Sequence, residues 1–183
     1  MKILIAMLIG CASTTPELQE CEDREGFVIP VVPEKFSEYC KADPPPNLDE
    51  MIQVAAEERG MNPRLLALTV YRESGCNPDS TGSSGEIGLG QINPRSWTKV
   101  LKREGIIRDK TELYDPLTNL QSVSYILSRL YKSANGNTLD AIRRYNGSGP
   151  RARKYSREQH NLYFSLWGES VRFFGYGVER ASG

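Results

Sequence analysis

The sequence predicts a mainly α-helical single domain broken by one glycine-rich loop or short β-hairpin, and three observations predict it. Apolar residues recur at intervals of three and four, as in Leu120, Val123, Leu127 and Leu130. Several such segments open at an Asn-Pro or Asp-Pro pair and stop at glycine, which is the chemistry of helix caps. Between residues 75 and 94, Gly75, Gly82, Gly85, Gly88 and Gly90 with Pro78 and Pro94 are too many breakers for a helix.

The chain opens with Met1-Lys2, the apolar run Ile3 to Ile9, and Gly10-Cys11, which reads as an export signal over residues 1–10. Leu8-Ile9-Gly10-Cys11 also resembles the bacterial lipobox, in which the cysteine becomes the lipidated first residue of the mature protein. The resemblance implies lipidation at Cys11, a membrane anchor, and a lipoprotein of the periplasm or outer membrane; the alternative is an uncleaved apolar tail. The run is too short for the roughly 20 residues of a spanning helix. Residues 11–46 are acidic, lack periodicity and close with Pro44-Pro45-Pro46, so they read as a tether or small N-terminal appendage. With Cys11 lipidated, three cysteines remain. Cys21 and Cys40 flank a stretch containing Pro30 and Pro33 and form a plausible disulfide, leaving Cys76 free or buried, although spacing alone does not fix connectivity.

Residues 47–183 carry the domain. Asn47 or Asp49 caps a first helix that runs to Gly60, and Asn62-Pro63 opens a second that Gly75 closes. After the glycine-rich stretch, a third helix begins near Pro94 and ends by Gly105, and a fourth starts at Asp115-Pro116. A short helix from about Leu139 to Tyr145 is capped by Thr138, and an aromatic-rich one includes Tyr163, Phe164, Leu166 and Trp167.

Composition removes several function classes. The 183 residues carry 23 Lys plus Arg against 23 Asp plus Glu, which gives no support for a nucleic-acid binder. The balance hides a split: residues 1–60 hold 12 acidic and 5 basic residues, net −7, and residues 61–183 hold 11 and 18, net +7. The basic part suits an anionic polymer or is simply a solvated helix face. His160 is the single histidine, and neither CxxC nor His-Cys spacing occurs, so no metal site and no cofactor is expected.

Glu73 stands out on physical grounds. It shares a helix face with Leu66, Thr69 and Val70, and Gly75 places it in the last turn, at the negative end of the helix dipole. Desolvation and dipole both disfavour the carboxylate and raise its pKa, as a general acid for glycosidic cleavage requires. The alternative is an ion pair with an arginine such as Arg143, which would lower it.

Around Glu73 the residues form a pattern. Glu73-Ser74-Gly75-Cys76-Asn77-Pro78, then Gly85-Glu86-Ile87-Gly88-Leu89-Gly90-Gln91-Ile92-Asn93-Pro94, resemble the active-site signature of the soluble lytic transglycosylase and goose-type lysozyme family. Ala141 to Gly147, with Tyr145-Asn146, resembles a second block, and Asn119-Leu120 a third. The likeness covers about residues 47–167. Two positions depart from the pattern: the family often has glycine where this chain has Val123, and a hydrophobic residue where it has Gly90.

The resemblance implies a lysozyme-like α+β fold and a peptidoglycan lytic transglycosylase. Glu73 would protonate the β(1→4) oxygen between N-acetylmuramic acid and N-acetylglucosamine and then act as base, giving 1,6-anhydro ends. Ser74, Gln91, Tyr145, Asn146 and Tyr163 match groove positions that hold glycan strands or orient Glu73. Glu86 matches an acidic position of goose-type lysozymes and is a possible second acid, so hydrolysis stays open; Asp79 is a weaker candidate. Trp97 borders the cleft on this reading; Tyr155, Tyr163, Phe164, Trp167, Phe173 and Phe174 offer sugar-stacking surfaces, although most of them read as core because four recur at near-helical spacing. A noncatalytic peptidoglycan-binding protein is the rival reading, and an envelope-spanning machinery is a possible partner.

Overall fold

The computed structural model describes residues 36–168 and 170–174, with the backbone of three short strands before them. These strands, β1 (Gly10–Ala12), β2 (Glu20–Glu22) and β3 (Val28–Pro30), form an antiparallel sheet in the order β1-β2-β3 that sets Cys11 opposite Cys21. Residues 1–9 of the expected signal and the Cys11 side chain lie outside the described residues.

Six helices make the body: α1 (Leu48–Glu57), α2 (Pro63–Ser74), α3 (Pro94–Arg103), α4 (Pro116–Ser133), α5 (Thr138–Asn146) and α6 (Gly149–Trp167). Three open as expected, with Pro at the first helical position and a side-chain cap: Asn62 on Arg64 N, Asn93 on Arg95 N, and Asp115 on Thr118 N. Two caps differ. Asn47 occupies the N-cap of α1 in a left-handed conformation and makes no side-chain cap bond. The α5 cap is Asn137 rather than Thr138, because its side chain accepts the Asp140 N–H and releases Thr138 into the first turn.

The second helix is the axis of the fold. Every residue from Pro63 to Val70 is buried, as befits a helix covered on all sides. It packs between α1 and α6, while α4 bridges α1 to α5 and α5 leans on α6. The core runs through Ile52, Leu65, Leu66, Leu68, Leu89, Leu101, Leu120, Val123 and Ile126. At about 25 cal/mol per Å² of apolar surface removed from water, burial on this scale holds the helices together.

Polar bonds join α2 to α6 in antiparallel order. Asn62 Nδ2 donates to the Tyr163 hydroxyl at 2.9 Å, Gln159 Nε2 to Thr69 Oγ1 at 3.0 Å, and the Tyr155 hydroxyl to Glu73 Oε1 at 2.6 Å. Positions 155, 159 and 163 are four apart and so share one face of α6.

The expected Cys21–Cys40 disulfide is replaced by Cys40–Cys76, whose Cα atoms lie 5.5 Å apart. The reason is tertiary. After the 3₁₀ turn Phe36–Tyr39, the chain crosses the C-terminal end of α2, where Lys41 and Ala42 N–H both donate to Gly75 O at 3.1 Å. Phe36 is buried in the core. Residues 36–42, expected to belong to a tether or appendage, are thus fastened to the helical body.

The glycine-rich stretch is a compact hairpin-like loop. Thr81 bridges Ile87 and Ile87 bridges Ile92, the latter by reciprocal 3.0 Å bonds. Asn119 on α4 anchors it: Oδ1 accepts from Gly90 N at 2.9 Å, and Nδ2 donates to Ile87 O at 3.1 Å and Leu113 O at 2.6 Å. Gly88 has φ of +72° and leaves no room for a Cβ beside Asn119 and the Leu113 carbonyl.

Candidate active site

A cleft of about 550 Å³ opens between the end of α2, the glycine-rich loop, the start of α3 and the end of α5. Its walls carry Glu73, Glu86, Gln91, Trp97, Tyr145 and Asn146, with Ile126 from α4.

Glu73 reaches this cleft from the last turn of α2, which Gly75 ends with φ of +63°, the left-handed conformation that glycine adopts without strain. Burial pushes its pKa from 4.5 up to about 7. The Tyr155 hydrogen bond and the Arg72 charge pull the other way, and the charge of Glu86 adds to the rise. Neither arginine neutralises it by contact. Arg72 is drawn to Glu158 Oε2 at 3.0 Å and lies over the Tyr155 ring, 4.9 Å from its centroid. Arg143 bonds Asp140 at 2.6 Å. The ion-pair alternative for Glu73 is thereby answered in favour of the desolvated acid.

Burial and the nearby Glu73 charge raise the pKa of both Tyr145 and Tyr155 well above 10, so both hydroxyls remain donors. Tyr155 donates a hydrogen bond to Glu73 Oε1 and leaves Oε2 outside that bond. Tyr145 donates to Gly90 O at 2.7 Å, tying the end of α5 to the loop.

The remaining expected site residues divide. Gln91 lines the cleft with φ of +48°; its Nε2 donates to Ser80 O at 3.1 Å and Gly88 O at 2.9 Å, turning its amide group into loop scaffolding. Asn146 and Trp97 stand on the wall. Glu86 is half-buried there, accepting Ser84 N at 3.1 Å. Ser74 donates back to Val70 O at 3.3 Å and lies outside the lining, as does exposed Asp79.

Tyr163, expected at the groove, is corrected by the fold: it is fully buried, bonded to Asn62 and packed on Trp167 with ring centroids 4.7 Å apart. Two helical turns, about 12 Å of rise, separate it from Tyr155, the tyrosine that does meet Glu73. The near-helical spacing of the C-terminal aromatics does not single out Tyr155 among them. The usable signal was the Tyr155, Gln159, Tyr163 stripe at intervals of four, facing polar residues of α2.

The departures at Gly90 and Val123 meet in space. A Cβ built on Gly90 collides with Val123 Cγ2 and sits 3.0 Å from the Tyr145 hydroxyl oxygen. The resemblance leads one to expect a hydrophobic residue at 90 and glycine at 123; with glycine at 90 and valine at 123, this chain fills the same point from the other side.

Comparison with known proteins agrees with this geometry. The family model of the transglycosylase SLT domain matches residues 50–167. An inactive mutant of the lytic transglycosylase Slt from Pseudomonas aeruginosa superposes with a TM-score of 0.60 at 18% identity, over 73% of this chain and 27% of that one. The 70-kDa soluble lytic transglycosylase in complex with bulgecin A gives a TM-score of 0.53 at 21% identity, over 70% and 21%. The chain therefore spans only about a quarter of the length of these structures, and the likeness establishes the shared lysozyme-like fold. With Glu73, Glu86, Gln91, Tyr145 and Asn146 gathered at one cleft and the family model covering more than half its length, the chain belongs to the transglycosylase SLT domain family.

Proposed function

We propose that the protein is a lytic transglycosylase of peptidoglycan, cleaving between N-acetylmuramic acid and N-acetylglucosamine with Glu73 as both acid and base. The observation that carries this reading is Glu73 itself: half-protonated near pH 7, free of any ion pair among the described residues, and oriented by Tyr155 in an open cleft. Oε2 delivers its proton to the glycosidic oxygen as the C1–O bond breaks. The carboxylate then takes the proton of the muramic C6 hydroxyl as that oxygen attacks C1. The 1,6-anhydro ring closes without water, and Glu73 regains its proton.

A second reading has one observation in its favour. Glu86 lines the same cleft and its charge acts on Glu73, the placement a water-positioning carboxylate needs for muramidase action. Mass spectrometry of fragments released from purified sacculi separates the two. Anhydro ends, lighter by one water and abolished in Glu73→Gln, support the transglycosylase; reducing ends establish the muramidase; no Glu73-dependent release leaves a peptidoglycan-binding protein.

The N-terminal pattern supports export and anchoring through lipid on Cys11. Metabolic labelling with a fatty acid decides, and loss of label in Cys11→Ser is the expected result.

A further inference from the structure

The acid-bearing end of α2 is held from outside by a segment far from the cleft. Cys76 follows the Glu73-Ser74-Gly75 turn and is fully buried in its bond to Cys40, 36 residues earlier. The next two residues of that segment, Lys41 and Ala42, both donate N–H bonds to Gly75 O. The Lys41 side chain continues the contact: Nζ lies 4.9 Å from the Tyr71 ring centroid, and its Cβ leaves only 3.0 Å to any Cβ at Gly75. Gly75 N in turn donates to Tyr71 O, closing the last turn that carries Glu73. Every one of these bonds falls within three residues of the acid, whereas the opposite end of α2 is fixed by Asn62 and the core. A helix terminus is where fraying begins, and here it is fastened from outside by one covalent bond and two hydrogen bonds.

We propose that the Cys40–Cys76 bond, with the Lys41 and Ala42 N–H groups beside it, forms a clamp that positions Glu73, so that the enzyme is competent only when this pair is oxidised. The proposal rests on the reading of Glu73 as the catalytic acid. Cys40 and Cys76 are positioning residues: they touch no substrate and act through the last turn of α2. Reduction by a dithiol follows the ordinary exchange. The dithiol gives two electrons and two protons, becomes a cyclic disulfide, and leaves two protein thiols. Without the staple the segment is held at this end of α2 only by the two N–H bonds and the Lys41–Tyr71 contact, with Phe36 as its anchor in the core; the last turn opens to water, and Glu73 loses the desolvation that keeps its proton. A wall-cleaving enzyme of this design is latent in a reducing compartment and armed by oxidation.

The test uses the full chain on purified sacculi, oxidised, reduced with dithiothreitol, and as Cys40→Ala/Cys76→Ala, with helical circular dichroism recorded for each. The expected result is at least a tenfold fall in turnover with the helical signal retained. The alkaline limb of the pH–rate profile moves to lower pH, activity returns when the wild type is reoxidised, and the double variant ignores reductant. Should the double variant fail to fold, Ala42→Pro removes one clamp donor with the staple intact; a several-fold loss with the same acidward movement is expected from it. Unchanged turnover and an unchanged limb in the reduced protein, or in Ala42→Pro, overturn the clamp. Oxidised wild type with no Glu73-dependent cleavage refutes the functional reading instead, so the two failures are distinct.

Discussion

Filling Gly90 and emptying Val123 together should cost markedly less than the sum of the two changes made singly. Gly90 lies outside the left-handed region, so its backbone accepts alanine; the obstacle is Val123 Cγ2, fully buried on α4. Gly90→Ala overpacks this point and should cost about 1–3 kcal/mol. Val123→Ala removes two methyl groups at about 0.8 kcal/mol each and adds a cavity term, which the better helix propensity of alanine offsets by some tenths, for about 2 kcal/mol in all. In the double variant the new methyl occupies the space the old one leaves. Its total should then be about 1–2 kcal/mol, a coupling of about 2 kcal/mol in favour of the pair. Urea midpoints for the wild type and three variants at one pH give the cycle, and sacculus turnover should follow the same pattern because Gly90 O holds Tyr145. Additivity within about 0.5 kcal/mol would falsify the compensation.

Other outcomes follow from the same contacts. Glu73 has a folded pKa raised from 4.5 to about 7, so its protonated form stabilises the fold fully below pH 4.5 and this contribution is lost as pH rises through 7. Glu73→Gln should therefore abolish cleavage yet add about 2–3 kcal/mol of stability at pH 8 and little at pH 4.5, by urea titration at both values. In Tyr155→Phe the hydrogen bond that lowers the Glu73 pKa is gone, so the alkaline limb of the pH–rate profile should move upward while turnover falls about tenfold; an unmoved limb refutes the contact. Asn119→Ala strands Gly90 N and the Leu113 carbonyl in the core, leaves the Ile87 carbonyl with the Ile92 N–H alone, and should cost about 2–3 kcal/mol in a thermal or urea melt. Breaking Cys40–Cys76, whose partners are 36 residues apart, should lower stability by about 4 kcal/mol by loop-closure entropy, read from the urea midpoint with and without reductant.

What the sequence could reveal was local. Asn62-Pro63, Asn93-Pro94 and Asp115-Pro116 announce helix starts because a cap side chain and a preset φ act within three residues. Glu73 was legible because burial, helix end and signature all sit within its own turn. Distance along the chain hid the rest. Tyr155 is 82 residues from the carboxylate it meets, and its aromatic ring looked like core until the packing of α6 on α2 placed it. Cys40 found Cys76 because the chain crosses the end of α2, a path no spacing rule encodes. Asn119 was visible as part of a motif, but its three bonds to the loop needed the fold. The Gly90 and Val123 departures looked independent until they met at one point.

The polar seam between α2 and α6 also sets an order of events in folding. Asn62 finds Tyr163 across 101 positions, Thr69 finds Gln159 across 90, and Glu73 finds Tyr155 across 82. Closures over such separations lose more chain entropy than contacts within a helix, so the seam forms after the helices it joins. On a ribosome delivering the N-terminus first, α2 with its carboxyl group emerges long before the helix that completes it. An unfinished chain carries the acid without the hydroxyl that aims it and without the cover that keeps it protonated. On the proposed function, the acid is aimed and kept protonated only once α6 has packed on α2.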